Sequence, residues 1–214
     1  MEQTAREQTS SGTASRQRFL QQAGAVTAGA FLAVAATTVN PIRDGVAFAR
    51  TQAAGLTDLD ILNFALTLEH LEATFYQQVV RSGHFDSPAL GILAAIRNHE
   101  QQHVAALTAA INQLGGKPVA AMMRYNFGDM SSAAAILATA EKLEGTGVGA
   151  YTGAAGLITN RAALVPVAGS IEQVEARHYA SIRILLNENP APAALGPILT
   201  VAEVQMAVKP ILGM

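Results

Sequence analysis

Five residues recur in type at one fixed offset: adding 75 to the positions of Leu68, Glu69, Tyr76, Glu100 and His103 gives Leu143, Glu144, Tyr151, Glu175 and His178. Most neighbours do not recur, since His70 is answered by Gly145, Glu72 by Gly147 and His99 by Val174. Two stretches therefore share a Leu-Glu-x6-Tyr element followed, 31 residues after its glutamate, by Glu-x-x-His. A lone Glu-x-x-His carries little weight, because that spacing arises by chance and usually marks a solvated helix edge. Two copies at matched offsets are far harder to dismiss. On a helix, residues three apart share a face and lie about 4.5 Å apart along the axis, so each pair can offer a carboxylate and an imidazole to one point. The glutamate-to-tyrosine spacing is about two turns and returns to that face.

The surroundings of these residues decide whether they are solvated acids or buried donors. Glu69 shares its stripe with Leu62, Leu66, Ala73 and Tyr76, and Glu144 with Leu137, Ala140, Val148 and Tyr151. Leu93, Ile96, Leu107 and Ile111 flank Glu100 and His103, while Ala168, Ile171, Ile182 and Leu186 flank Glu175 and His178. These are core stripes. Four glutamates aimed inward need countercharge or protonation, and no lysine or arginine lies on the stripes. Two divalent cations would balance the four carboxylates, with two neutral imidazoles completing the shells. One glutamate from each of two helices and Glu-x-x-His from each of two others is the donor arrangement of a dimetal-carboxylate bundle. Such a sulfur-free donor set suits iron or manganese, and hence redox chemistry on dioxygen or hydrogen peroxide. Non-catalytic metal binding or structural stress protection is the alternative reading.

The chain that must position these donors has 214 residues, half of them apolar, 14% charged and 5% aromatic. It has no cysteine, which excludes disulfides and thiolate metal sites, and its formal charge of -2 gives no footprint for nucleic acid. Alanine-rich composition predicts an all-α protein. Thr57 reads as the cap of a first helix running to about Ser82. A second starts at Ser87-Pro88 and runs to Leu114, ahead of Gly115-Gly116. Residues 115–130 read as a long connection. A third helix runs from the Ser131-Ser132 cap to about Asn160, and a fourth, with Pro166 in its first turn, ends near Asn187. Thr200 and Glu203 form a capping box for a short terminal helix closed by Pro210.

The first 49 residues read as an export signal, leaving 50–214 as the folded domain. Arg16 and Arg18 precede a mildly apolar stretch over 23–39, and Ala47-Phe48-Ala49 offers small residues for cleavage after Ala49. Ser15-Arg-Gln-Arg-Phe-Leu20 resembles a twin-arginine signal, with Gln17 where the second arginine would stand. The expected location is periplasmic or extracellular. Membrane anchoring through 23–39 is the minor alternative, because the glycines and threonines there make it weakly hydrophobic.

Leu62-Asn-Phe-Ala-Leu-Thr-Leu-Glu-His-Leu-Glu-Ala-Thr-Phe-Tyr76, Glu100-Gln-Gln-His103 and Val174-Glu-Ala-Arg-His178 resemble the ferritin-like superfamily, and within it exported ferritin-like proteins related to desiccation-related proteins. The resemblance covers roughly residues 55–188. It implies a four-helix bundle with a long crossover between helices two and three, and a dimetal centre of iron or manganese. In that centre Glu100 and Glu175 would bridge or chelate, and His103 and His178 would each serve one metal, with Glu69 and Glu144 completing the set. Tyr76 and Tyr151 would hydrogen-bond the ligands, or else be core tyrosines with satisfied hydroxyls. Glu72 and Glu141, each three residues from a candidate donor, read as surface acids ahead of alternate donors. His70, His84 and His99 lack the repeat and read as exposed or capping. Gly145, Gly147, Gly149, Gly153 and Gly156 suggest close packing or a bulge beside Glu144. The expected partners are metal ions, dioxygen or hydrogen peroxide, and the export machinery. The oligomeric state stays open, a homo-oligomer included.

Overall fold

The computed structural model describes residues 55–213. The expected export segment over 1–49, its cleavage site and the anchoring alternative all lie outside those residues. The described chain is all-helical: α1 (Asp58–Val79), α2 (Ala89–Gln113), α3 (Ala133–Ala154), α4 (Arg161–Leu185) and α5 (Val201–Leu212). Among the described residues, no helix is long and apolar enough to cross a membrane.

Capping sets several of these boundaries. The Thr57 side chain accepts from the Asp60 N–H while Asp60 reaches back to the Thr57 N–H, and Thr200 and Glu203 repeat the arrangement at α5. Ser132 accepts from the Ala135 N–H at the start of α3. Five expectations need correction. The first helix ends at Val79 rather than Ser82, because the N–H groups of Arg81 and Ser82 turn back to the carbonyls of Gln78 and Val79 three residues earlier. Ser87 does not cap α2; Pro88 holds that position without a side-chain bond, and the Asp86 carbonyl accepts from Leu90 N–H. The third helix stops at Ala154 rather than Asn160, because Asp58 draws the N–H groups of Thr159 and Asn160 to its carboxylate at 2.8 Å each. Pro166 is the sixth residue of α4, beyond the first turn. Pro210 lies inside α5, which continues to Leu212 and is closed by left-handed Gly213.

The helices form two hairpins, α1 with α2 and α3 with α4, joined by the residues 114–132. α1 also packs on α3 and α2 on α4, closing a four-helix bundle, while α5 lies against α3. The crossover runs along α1: Val119 N–H donates to Asn63, His70 meets the Val119 carbonyl, and Phe127 packs against Phe75 at 5.2 Å between ring centres.

The core has two apolar layers. One holds Leu66, Leu107, Ile111, Leu164 and Ile171. The other holds Phe75, Leu93, Ile96, Ile136 and Ile182 and is covered by Val204, Val208 and Leu212 of α5. The candidate donors sit between these layers along every helix of the bundle. Burying this much apolar side chain contributes roughly 1.5–3 kcal/mol per large residue, and that favourable term allows the polar layer between to exist.

The glycines of α3 serve close packing, as expected. The Leu199 N–H donates to the Gly149 carbonyl at 3.0 Å. A Cβ at Gly153 would stand 1.9 Å from the Leu199 carbonyl oxygen, so only glycine admits the incoming strand of chain before α5.

Candidate metal centre

Each of the four bundle helices delivers part of one inner cluster. α1 supplies Glu69, α2 Glu100 and His103, α3 Glu144, and α4 Glu175 and His178; the four glutamates are all 0% exposed and both histidines are buried. The sequence repeat thus becomes an approximate two-fold relation between hairpins. Glu69, Glu100, His103 and Glu175 bring one donor atom each within 4.8 Å of one another, and so do Glu100, Glu144, Glu175 and His178. Glu100 and Glu175 belong to both groups. Each group therefore has a private glutamate and histidine and shares the central pair.

The histidines present the same nitrogen inward. His103 Nδ1 lies 3.1 Å from Glu69 Oε2, 3.2 Å from Glu100 Oε2 and 3.1 Å from Glu175 Oε1. His178 Nδ1 lies 2.8 Å from Glu100 Oε1 and 3.5 Å from Glu144 Oε2. Yet Glu100 Oε1, Glu144 Oε2, both oxygens of Glu175 and His178 Nδ1 make no hydrogen bond. His178 Nδ1 and Glu100 Oε1 are close without being aligned, as donors are when they face a common point rather than each other. A buried polar atom without a partner costs about 1–3 kcal/mol, and more if charged. Divalent cations would satisfy all five atoms at once, so the donor set fits such ions.

Without a cation the cluster must hold its charge by sharing protons. Burial pushes Glu69 up to about 8, against the pull of His103, and pushes Glu144 and Glu175 upward as well. Burial pushes His103 and His178 down, but the surrounding carboxylates, accepting from His103 Nδ1 and facing His178 Nδ1, outweigh it and raise them to about 12 and about 9. Such mutual compensation is how a site built for cations behaves when protons take their place.

The tyrosines resolve in favour of hydrogen bonding. Tyr76 of the first hairpin donates to Glu144 of the second, and Tyr151 of the second donates to Glu69 of the first. Burial raises both phenols well above their usual range, so they remain protonated donors. Each fixes one oxygen of a private glutamate and leaves the other for the centre.

Two residues that break the repeat also belong here. Glu72 is 3% exposed, not a surface acid as expected, and it accepts no hydrogen bond from any described residue. It faces Gly147, its own repeat counterpart: a Cβ there would stand 3.5 Å from Glu72 Oε1 and 2.9 Å from Glu175 Oε2. His99 is exposed, as expected, and it also meets the centre. Its Nδ1 lies 2.9 Å from His178 Nε2, with the two rings parallel within 3°. The signal that could have found both is register: Glu72 is one turn beyond Glu69, and His99 adjoins Glu100. The other doubtful candidates sit outside. Glu141 is partly exposed and pairs with Arg183, His70 contacts the crossover, and His84 is exposed.

A cavity of about 10 Å³ lies beside Glu72 and Gly147, bounded also by Leu68, Leu71, Thr146 and Val208. That is room for one water. The family model for the ferritin-like domain matches residues 57–188. No curated protein matches the chain.

Proposed function

The chain belongs to the ferritin-like domain family, and on that premise we propose that it holds two divalent cations, iron or manganese, and uses them for redox chemistry on dioxygen or hydrogen peroxide. The observation that carries this reading is the pair of four-donor groups sharing Glu100 and Glu175, with five buried donor atoms left unpartnered. Bound there, a metal pair would supply one-electron steps towards a small oxidant. Glu69, Glu100, His103, Glu144, Glu175 and His178 would hold it. Tyr76 and Tyr151 keep the private glutamates oriented, and the apolar layers above and below exclude bulk water.

Elemental analysis of the purified protein, followed by measurement of oxygen and peroxide consumption, tests this directly. About two metals per chain with turnover is the expected result. Stoichiometric metal without turnover favours the non-catalytic, stress-protective reading, and absence of both iron and manganese after loading overturns the proposal. The basic edge and apolar stretch before Ala49 support an exported location. Secreted protein whose first residue is Arg50 is the expected outcome of N-terminal sequencing, and retention of Met1 on the mature chain would contradict it.

A further inference from the structure

The approximate two-fold symmetry of the centre is broken at two points, one against His178 and one against Gly147, a turn beyond Glu144. His99 stands where the repeat has Val174, and its Nδ1 meets His178 Nε2 at 2.9 Å. Among the described residues, His103 has no hydrogen bond that holds its ring from behind in the same way; its bonds run to Glu69 and Glu100 through Nδ1. Glu72 stands where the repeat has Gly147, and its carboxylate reaches across to α3 at Gly147, one turn beyond Glu144.

Glycine at 147 leaves space for two carboxylates beside α3. The point that a Gly147 Cβ would occupy is within 2.9 Å of Glu175 Oε2 and 3.5 Å of Glu72 Oε1. A side chain there would require the Glu175 carboxylate to shift. Glu72 is buried, makes no hydrogen bond and lies just outside the two four-donor groups. An acid so nearly enclosed, with only a small cavity beside it, is costly to ionise unless a proton or a cation meets it.

We infer that Glu72 is a reserve donor to the metal position formed by Glu100, Glu144, Glu175 and His178, and that His99 positions His178 for the same metal, making the two metal positions unequal. This rests on the dimetal reading above. His99 accepts from His178 Nε2–H, which fixes the tautomer whose Nδ1 lone pair faces the centre. Glu72, on α1, adds a further oxygen donor beside Gly147 of α3. The position formed by Glu69, Glu100, Glu175 and His103 receives neither aid and is the weaker of the two.

Calorimetric titration of the metal-free full-length chain with manganous ion alone reads this asymmetry. Two binding steps are expected in the wild type, separated by about ten-fold or more in affinity. The Glu72→Gln and His99→Ala variants should each weaken the tighter step by about ten-fold while leaving the weaker one unchanged. Crystals carrying one equivalent of manganese provide an arm independent of any variant: the anomalous peak is expected beside Glu144 and His178. Two equal steps in the wild type, unchanged steps in Glu72→Gln, or a peak beside Glu69 and His103 would each overturn the inference while leaving the dimetal reading intact. A wild-type chain that binds no manganese and no iron would instead overturn the dimetal reading itself.

Discussion

Tyr151 donates its hydroxyl hydrogen bond to Glu69, across the bundle from α3 to α1. Its repeat partner Tyr76 makes the reciprocal bond to Glu144. A glutamate that must offer one oxygen to a cation is thereby prevented from turning away, because its other oxygen is anchored from the opposite hairpin. The anchoring phenol is itself packed in the apolar layer with Leu66 and Ile171.

Tyr151→Phe should keep the packing and lose the bond. Leaving a buried carboxylate oxygen without its donor costs about 1.5–3 kcal/mol, which for a domain of this size lowers the melting temperature by roughly 4–10 °C. Differential scanning calorimetry checks this, and an unchanged melting temperature would show that the phenol does not hold Glu69.

The paired substitution His103→Ala with His178→Ala removes both imidazole donors, one from each four-donor group. Bound metal should fall sharply in elemental analysis after dialysis. Retention of two equivalents would contradict the assignment of these nitrogens. Folding is monitored by circular dichroism, where the helical signal should persist because both apolar layers are untouched.

The metal-free protein should lose stability as pH rises. Glu69 is pushed by burial from 4.5 to about 8, so its proton stabilises the fold below 4.5, and that contribution disappears as pH climbs through 8. Burial opposes but the neighbouring Glu100 and Glu144 carboxylates raise His178 from 6.5 to about 9; its contribution is complete below 6.5 and gone above 9. Both slopes have the same sign. Burial pushes Glu100 up, but the bond from His103 and the nearby His178 ring win and hold it at about 2, so its own contribution is lost only as pH falls below 4.5 towards 2. The melting temperature of the metal-free chain is therefore expected to fall by about 5 °C or more between pH 5 and pH 9. Metal affinity should run the opposite way, because cation binding displaces protons. A flat melting profile for the metal-free form would mean that these carboxylates are not buried together.

The glycines of the bundle divide into those that are needed and those that are not. Gly153→Ala would drive a methyl into the Leu199 carbonyl and should cost about 3 kcal/mol, by displacing backbone rather than a flexible side chain. Gly169→Ala, in α4 with open space at its Cβ, should instead stabilise by about 0.5–1 kcal/mol through helix propensity. Denaturant melts of the two variants should therefore move in opposite directions.

The bundle and six of its inner residues were legible in the sequence because a repeat acts as an internal control. Glu69 and Glu144 stand out only when each is seen to have a double. The same logic hid Glu72 and His99, which have no double: Glu72 is answered by Gly147, whose Cβ point lies against Glu175, and His99 meets one imidazole only. Caps such as Thr57, Ser132 and Thr200 were readable because their bonds are local. The end of α3 was not, since Asp58 pulls Thr159 and Asn160 out of the helix from a position 101 and 102 residues away in sequence. Pro210 misled for a related reason: an exposed helix face tolerates a lost N–H, so α5 runs past it to Gly213.

The crossed tyrosines also bear on ancestry. One hairpin alone contains a phenol with no acid to grip and an acid with no phenol to grip it. A primordial single hairpin could therefore assemble this chamber only by pairing with its own twin. Fusion of the twins into one polypeptide freed the halves to diverge, and the Glu72–Gly147 mismatch is a change that an identical pair could never have made.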